Sequence, residues 1–521
     1  MEARNFVTAR EMLEKGNWLV PTMNGELRLA KPPLPTWITA VFGSWFGVEN
    51  VRMLRFPAGI MGSLLVLFMY LFSFSLNKNR MLALVNSLVL ASCFYVVYMG
   101  RTGTWDIYCH SFMFGAIWLL HKAWKSEKNN WGLFTGAGVL LGLSFLSKGP
   151  VAFYAVLLPF LIAYCWSYSG KIIFQKWKPL LFMLSIFIVL SFAWPVYIYF
   201  AHADELTATM QIESASWVNR HVRPFYYYWN FPIQSGVWTL LITTAVLFPF
   251  AFKKFENKRA YKFAFIWTIT SVVLLSLLPE KKDRYLLPVL IPATLMAGQL
   301  VLYLHSVFKN KTAGKRERFL LGLNIWPLAV ISLIFPVGVF FLFCRKGHMS
   351  LPSFIVFSFL AEAIFILLIM AWRKKDILKT VLSGVMLMIL LESFIIPDVD
   401  VLLNKNPNFR DIAEIKSKSE ISALNFYNIE NEEFRIELVY QVGKEVKNWN
   451  PRTTPEFPED VAFVVFSTKR PEEVFSESQQ QKIEIKIIGY YDYNRSHKGK
   501  DDSHNHFKKY VSLIKMKPDY E

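Results

Sequence analysis

The stretch from Arg55 to Arg80, "RFPAGIMGSLLVLFMYLFSFSLNKNR", decides the fold class. It is an apolar run long enough to cross a bilayer, and it closes on two cations within four residues. A span needs roughly 17–25 mostly apolar residues, and short cytoplasmic loops collect Lys and Arg. The pattern then repeats along the chain. Twelve such runs are expected, near 55–76, 81–99, 107–122, 131–146, 151–167, 179–201, 232–252, 263–278, 285–303, 319–343, 352–371 and 379–397. The loops between them alternate. "HKAWKSEKNN" (121–130), "GKIIFQKWK" (170–178), "KKFENKRAYK" (253–262), "KNKTAGKRER" (309–318) and "RKKDILK" (373–379) are short and basic, so they read as cytoplasmic. Residues 1–54, "GRTGTWD" (100–106), "SKGP" (147–150), 202–231, "PEKKDR" (279–284) and everything after 397 then face outward.

Composition agrees. The 521 residues are 54% hydrophobic with a mean hydropathy of +0.30, which excludes an ordinary soluble enzyme. The net charge of +18 is what cytoplasmic loops supply, and nucleic acid is not an expected partner. Cys93, Cys109, Cys165 and Cys344 lie in or beside apolar runs and show neither disulfide nor zinc spacing. The expected fold class is thus a polytopic α-helical membrane protein with about 12 spans over 55–397. Residues 1–54 form a first outer loop with amphipathic or interfacial helices. Residues 398–521 form a small α/β domain, with strands at "ALNFYN", "VAFVVFS" and "IEIKIIGYYDY".

The outward loops hold the chemistry. Asp106 stands at the mouth of a span, and a carboxylate there is costly unless a cation or a polar cavity faces it. Lys148 is squeezed between two apolar runs. With Lys31, Arg101, Lys281, Arg284, Glu213, Arg220 and His221, they put carboxylates and cations on one face of the membrane. A snorkelling interfacial charge accounts for any one of them, less well for the set. Carboxylates can take a proton from an acceptor hydroxyl, and cations can neutralise a phosphate. A lipid-linked sugar phosphate offers both the location and the anionic leaving group. The aromatics Tyr226 to Trp229 read as an interfacial belt. "HKGKDDSHNH", His497 to His506, reads as a solvated loop rather than a metal site.

"EARNFVTAREMLEKGNWLVPTMNGELRLAKPPLPTW" resembles the first outer loop of the bacterial lipid A aminoarabinose transferases and the related protein O-mannosyltransferases, where the pattern is "GxWLVPxxNGxxxxEKPPLxxW". "RTGTWD", "LSKGPVAF" and "PEKKDRYLLPVLIPATLMAG" match further motifs of that family in order. The resemblance implies a GT-C glycosyltransferase with one span more than the twelve counted here. It uses a polyprenyl phosphate sugar donor at a site open to the periplasm of the bacterial inner membrane. It implies catalytic carboxylates at Glu2 and Asp106, and phosphate or substrate contacts from Lys31, Arg284, Tyr285 and Lys148. It makes 202–231 a mobile loop over the site. This chain departs from the pattern at Ala30, where the family has Glu. An acid upstream of Glu2, together with a first helix before Met1, is expected but lies outside the sequence. The expected acceptor is lipid A-like or another envelope molecule. Transfer to protein Ser/Thr hydroxyls, and a transporter or flippase of lipid-linked sugar, stand as alternatives. No cofactor is implied, and a divalent metal stays open.

Overall fold

The computed structural model describes residues 2–168, 170–247, 255, 257–431, 433–495 and 506–518. The chain forms two compact units. One is Leu29–Pro397; the other joins Met1–Arg28 to Asp398–Glu521.

The first unit is helical. Among the described residues, eight helices are long and apolar enough to cross a membrane: Val51–Asn77, Trp131–Lys148, Trp177–Ala201, Lys258–Leu277, Asp283–Lys309, Lys315–Cys344, Leu351–Lys374 and Ile377–Asp398. The pair Arg80–Ala91 and Phe94–Gly100, bent by 65°, makes a ninth if it is one broken span. The expected twelve are therefore corrected to eight or nine, and the chain is a multi-pass membrane protein. The other three runs differ for separate reasons. Asp106–Lys125 is a full helix of 20 residues, but it carries Asp106, His110, His121, Lys122 and Lys125. Most of its residues are buried among neighbouring helices, so lipid does not select its composition. The run at 151–167 gives a shorter apolar helix, Phe153–Tyr168. That at 232–252 starts as a 3₁₀ stretch with a kink at Gly236, continues as Thr239–Leu247, and ends outside the described residues.

The two sets of loops separate. Lys125 Nζ donates to Ser75 O at 3.2 Å, and Lys176 Nζ to Ala123 O at 2.7 Å and Lys128 O at 3.1 Å. Asn257 Nδ2 and Gln299 Nε2 both donate to Asn77 Oδ1, at 2.9 and 3.2 Å. These bonds stitch four basic loops together at one end of the bundle. Basic loops also start helices. Asn79, Asn130, Asn257 and Asp376 are N-caps whose side chains accept backbone N–H groups of the first turn, satisfying donors the helix cannot. Trp131–Lys148 packs on Trp177–Ala201 through Gly138 and Gly142. A Cβ at Gly138 would lie 2.7 Å from Met183 O, and one at Gly142 would lie 2.6 Å from Leu190 Cβ. This Gly-x-x-x-Gly spacing lets two helices approach closely in a membrane.

The second unit holds the α/β fold. Strands β1 (Thr22–Met23) and β2 (Glu26–Leu27) make a small hairpin. Strands β3 (Asn425–Asn428), β4 (Val446–Asn448), β5 (Ala462–Ser467), β6 (Ile483–Asp492) and β7 (Lys508–Met516) form a mixed sheet in the order β4-β3-β5-β7-β6. The three expected strands are β3, β5 and β6. β3 runs parallel to β4 and β5, while β7 is antiparallel to β5 and β6. The helix Glu2–Lys15 belongs to this unit. Val7 joins the cluster of Leu438, Val439, Phe426 and Val464, and Phe6 meets Tyr440 at 5.6 Å. Lys15 pairs with Glu445 at 2.7 Å. Asn24 both accepts from Val446 N and donates to Val446 O. Glu11 closes the N-terminal turn by accepting from Thr22 Oγ1 and Asn24 N, each at 2.6 Å. The compact units part residues 1–54 after Arg28. Leu34–Phe46 lies in the helical unit and leaves Trp45 and Phe46 exposed.

Candidate active site

Three helix ends meet in the helical unit. Asp106 is the first residue of Asp106–Lys125, where the helix dipole favours a carboxylate. Lys148 is the last residue of Trp131–Lys148. Gly149, at φ +66°, stops the helix there, and Pro150 follows. Arg284 and Tyr285 sit in the 3₁₀ turn Asp283–Leu286, and Pro288 then starts Leu287–Lys309.

Lys148 Nζ donates to Asp106 Oδ1, and both side chains are buried. The snorkelling alternative does not describe Lys148: its ammonium is turned inward onto a carboxylate. Asp106 Oδ2 is buried and has no hydrogen-bond partner among the described residues. His110, one turn further along, has its Nδ1 in the same condition. The Tyr285 ring collects cations, with Lys148 5.0 Å, Arg284 5.4 Å and Lys282 5.8 Å from its centroid, all within the range of cation–π attraction. The site therefore holds one ion-paired carboxylate with a spare oxygen and several cations around an aromatic face.

The elbow Lys31-Pro32-Pro33 ends with Pro33 as the N-cap of Leu34–Phe46. Lys31 Nζ reaches Glu213 Oε2 at 3.0 Å, with both side chains partly exposed. The two loops 202–231 and 279–284 join each other. Glu280 N donates to Trp217 O, Lys281 N to His221 O, and Arg223 N to Pro279 O; Arg220 lies 4.0 Å from Glu280. His221 makes the turn at φ +52°. Lys281 Nζ donates to Arg223 O at 3.1 Å, and burial holds its ammonium below the usual lysine range. Tyr227 donates to Asp283 at 2.7 Å, and that bond, with burial, pushes its phenol up. Arg101 lies 3.8 Å from Glu392.

Of the expected residues, Asp106, Lys148, Arg284 and Tyr285 thus come together, Lys31 joins Glu213, and Arg220, His221 and Lys281 share the paired loops. Glu2 opens its helix in the other unit. Glu280, Glu392 and His110 were not singled out in the sequence. Glu392 and His110 both lie within runs read as spans. Among the described residues no group of three or more His, Cys, Asp or Glu is arranged for a metal. Of the histidine-rich run that starts at His497, residues 497–505 fall outside the described residues.

Residues 30–199 match the family described as dolichyl-phosphate-mannose-protein mannosyltransferase. That third of the chain holds Lys31, Asp106 and Lys148. A protein of unassigned function from Aquifex aeolicus is 23% identical over 84% of this chain and 83% of its own length. The undecaprenyl phosphate-alpha-4-amino-4-deoxy-L-arabinose arabinosyl transferase 2 of Pseudomonas fluorescens is 25% identical over 78% of this chain and 73% of that protein. The crystal structure of ArnT from Cupriavidus metallidurans bound to undecaprenyl phosphate superposes with a TM-score of 0.68. It is 13% identical, covering 98% of this chain and 93% of that one. Residues 30–199 thus resemble this glycosyltransferase family, and the chain shares the fold of that ArnT structure. Two further arabinosyl transferases are matched over only 60% and 53% of their own length.

Proposed function

We propose that the protein moves a sugar from an undecaprenyl phosphate-type donor to a lipid A-like or other envelope acceptor, at the periplasmic face of a bacterial inner membrane. The observation that carries this reading is the buried Asp106–Lys148 pair with its spare Oδ2 beside the cations on Tyr285. In the reaction an acceptor oxygen attacks the anomeric carbon, the bond to the donor phosphate breaks, and the hydroxyl proton passes to a carboxylate. Lys31 and Arg284 neutralise the departing phosphate, Arg284 with a planar fork that a lysine cannot copy. Lys148 keeps Asp106 ionised, so Oδ2 can accept a hydrogen bond from a substrate hydroxyl. Glu2 is the second carboxylate that the resemblance nominates as a base.

The test is a transfer assay on the purified chain in detergent, where a flippase has no leaflet to act on. The wild type should release undecaprenyl phosphate from a lipid-linked sugar donor when lipid A is present. Lys31→Ala and Arg284→Ala should each raise the KM for the donor at least tenfold, about the worth of one charge-assisted hydrogen bond, and Arg284→Lys should recover only part of it. A wild type that releases nothing with lipid or peptide acceptors, or Ala variants with unchanged donor KM, would overturn the reading.

A further inference from the structure

The helix Ala203–Asn219 has no buried residue, so packing of its own side chains does not hold it in place. Its polar ties are few. Glu213 meets Lys31 at 3.0 Å. At its C-terminal end Trp217 O accepts from Glu280 N at 3.2 Å, and just beyond, His221 O accepts from Lys281 N at 3.1 Å. Those last two bonds tie it to the loop that leads into Arg284. The helix is thus fixed at one end to the segment carrying one phosphate cation, and along its length it places a carboxylate on the other.

A lysine ammonium is a compact point charge, and one already shared with a carboxylate offers less to a phosphate. We propose that Glu213 is an internal stand-in for the donor phosphate on Lys31: donor binding proceeds by anion exchange, and Glu213 sets the donor affinity. This rests on the donor reading above. The exposure of the two pairs supports exchange at this one and not at the other. Lys31 and Glu213 keep 28% and 35% of their side-chain surface, whereas Lys148 and Asp106 keep 7% and 1%. An ion pair open to solvent is weak, and water can rehydrate the displaced carboxylate. A buried pair cannot be parted without leaving a charge stranded. Because the donor binds only the unpaired lysine, its apparent affinity is reduced by the fraction of Lys31 that is free.

The opposite role is equally concrete: Glu213 could orient Lys31 toward the phosphate, in which case its removal weakens binding. Undecaprenyl phosphate binding to the full chain in detergent separates the two. Glu213→Gln should bind about two- to fivefold more tightly than wild type, the worth of an exposed ion pair. The gain should shrink at high salt. The double variant Lys31→Ala/Glu213→Gln should bind no more tightly than Lys31→Ala, and Glu205→Gln on the same helix should match wild type. Equal or weaker binding by Glu213→Gln, or a gain that persists without Lys31, overturns the exchange. If wild type binds in a Lys31-dependent way while Glu213→Gln is neutral, only this inference fails. A wild type with no affinity for undecaprenyl phosphate overturns the donor reading and the exchange together.

Discussion

Asp106 and Lys148 are each too costly to bury alone, and together they are a neutral unit held at two helix ends. Removing one partner of a buried pair costs about 3–5 kcal/mol. Lys148→Ala and Asp106→Asn should therefore both lower the thermal stability of the detergent-solubilised chain. The double variant Asp106→Asn/Lys148→Met should regain most of that stability, because no unpaired charge remains. Transfer should be lost in all three, since two lack the Asp106 carboxylate and Lys148→Ala removes the partner that holds it in place. Thermal unfolding beside an activity assay checks this, and transfer restored in the double variant would reduce the pair to a structural strut. The sequence lets both residues be read as charges at the ends of apolar runs, and that is as far as it goes. Their pairing joins positions 42 residues apart, which no periodicity encodes. The spare oxygen of Asp106 and the neighbouring His110 become visible only with the helix packed.

Helices are the most legible elements in this chain, since long apolar runs ending in basic loops can scarcely be read otherwise. The misreadings come where a helix does not face lipid. Asp106–Lys125 is too polar for a lipid-facing span because other helices surround it, and hydropathy reports the surroundings as much as the helix. Helix contacts are less legible still, although Gly138 and Gly142 carry a signal. Their Cβ-free face receives Met183, Ile186 and Leu190 of Trp177–Ala201. Gly138→Leu or Gly142→Leu would push the two helices apart, and overpacking of this kind costs about 1–3 kcal/mol. The midpoint of thermal unfolding in detergent should fall accordingly. Gly132→Ala is the control, because the nearest atom to its Cβ is Asn130 Oδ1 at an ordinary 3.6 Å. A Gly138→Leu chain as stable as wild type would mean that this close approach is not used.

At the scale of the molecule, three of the five strands in the large sheet, β3, β5 and β6, are legible in the sequence, whereas β4, β7, the β1–β2 hairpin and the membership of the N-terminal helix are not. An amphipathic helix gives the same signal whether its apolar face meets lipid or a sheet, and Glu2–Lys15 meets Tyr440 and the cluster around Leu438. The alternation of loops has firmer support, because the basic loops bond to one another at one end of the helical unit. The last helix, Ile377–Phe394, ends beside Arg101 through Glu392, so by connectivity the chain leaves the bundle at the end opposite the basic loops. Single cysteines at Lys128, Asp204, Lys311 and Arg452, all exposed, can be placed in a chain freed of its four native cysteines. On intact spheroplasts a membrane-impermeant thiol reagent should label positions 204 and 452 at once, and 128 and 311 only after lysis. Clustered Lys and Arg resist export during insertion, most strongly in short loops; that is why the basic end should stay inside. Labelling of 128 or 311 in intact cells would turn the helical unit over and put Asp106, Lys31 and Arg284 on the cytoplasmic side. Protection of 452 alone would leave that site outward and overturn the periplasmic placement of the sheet domain.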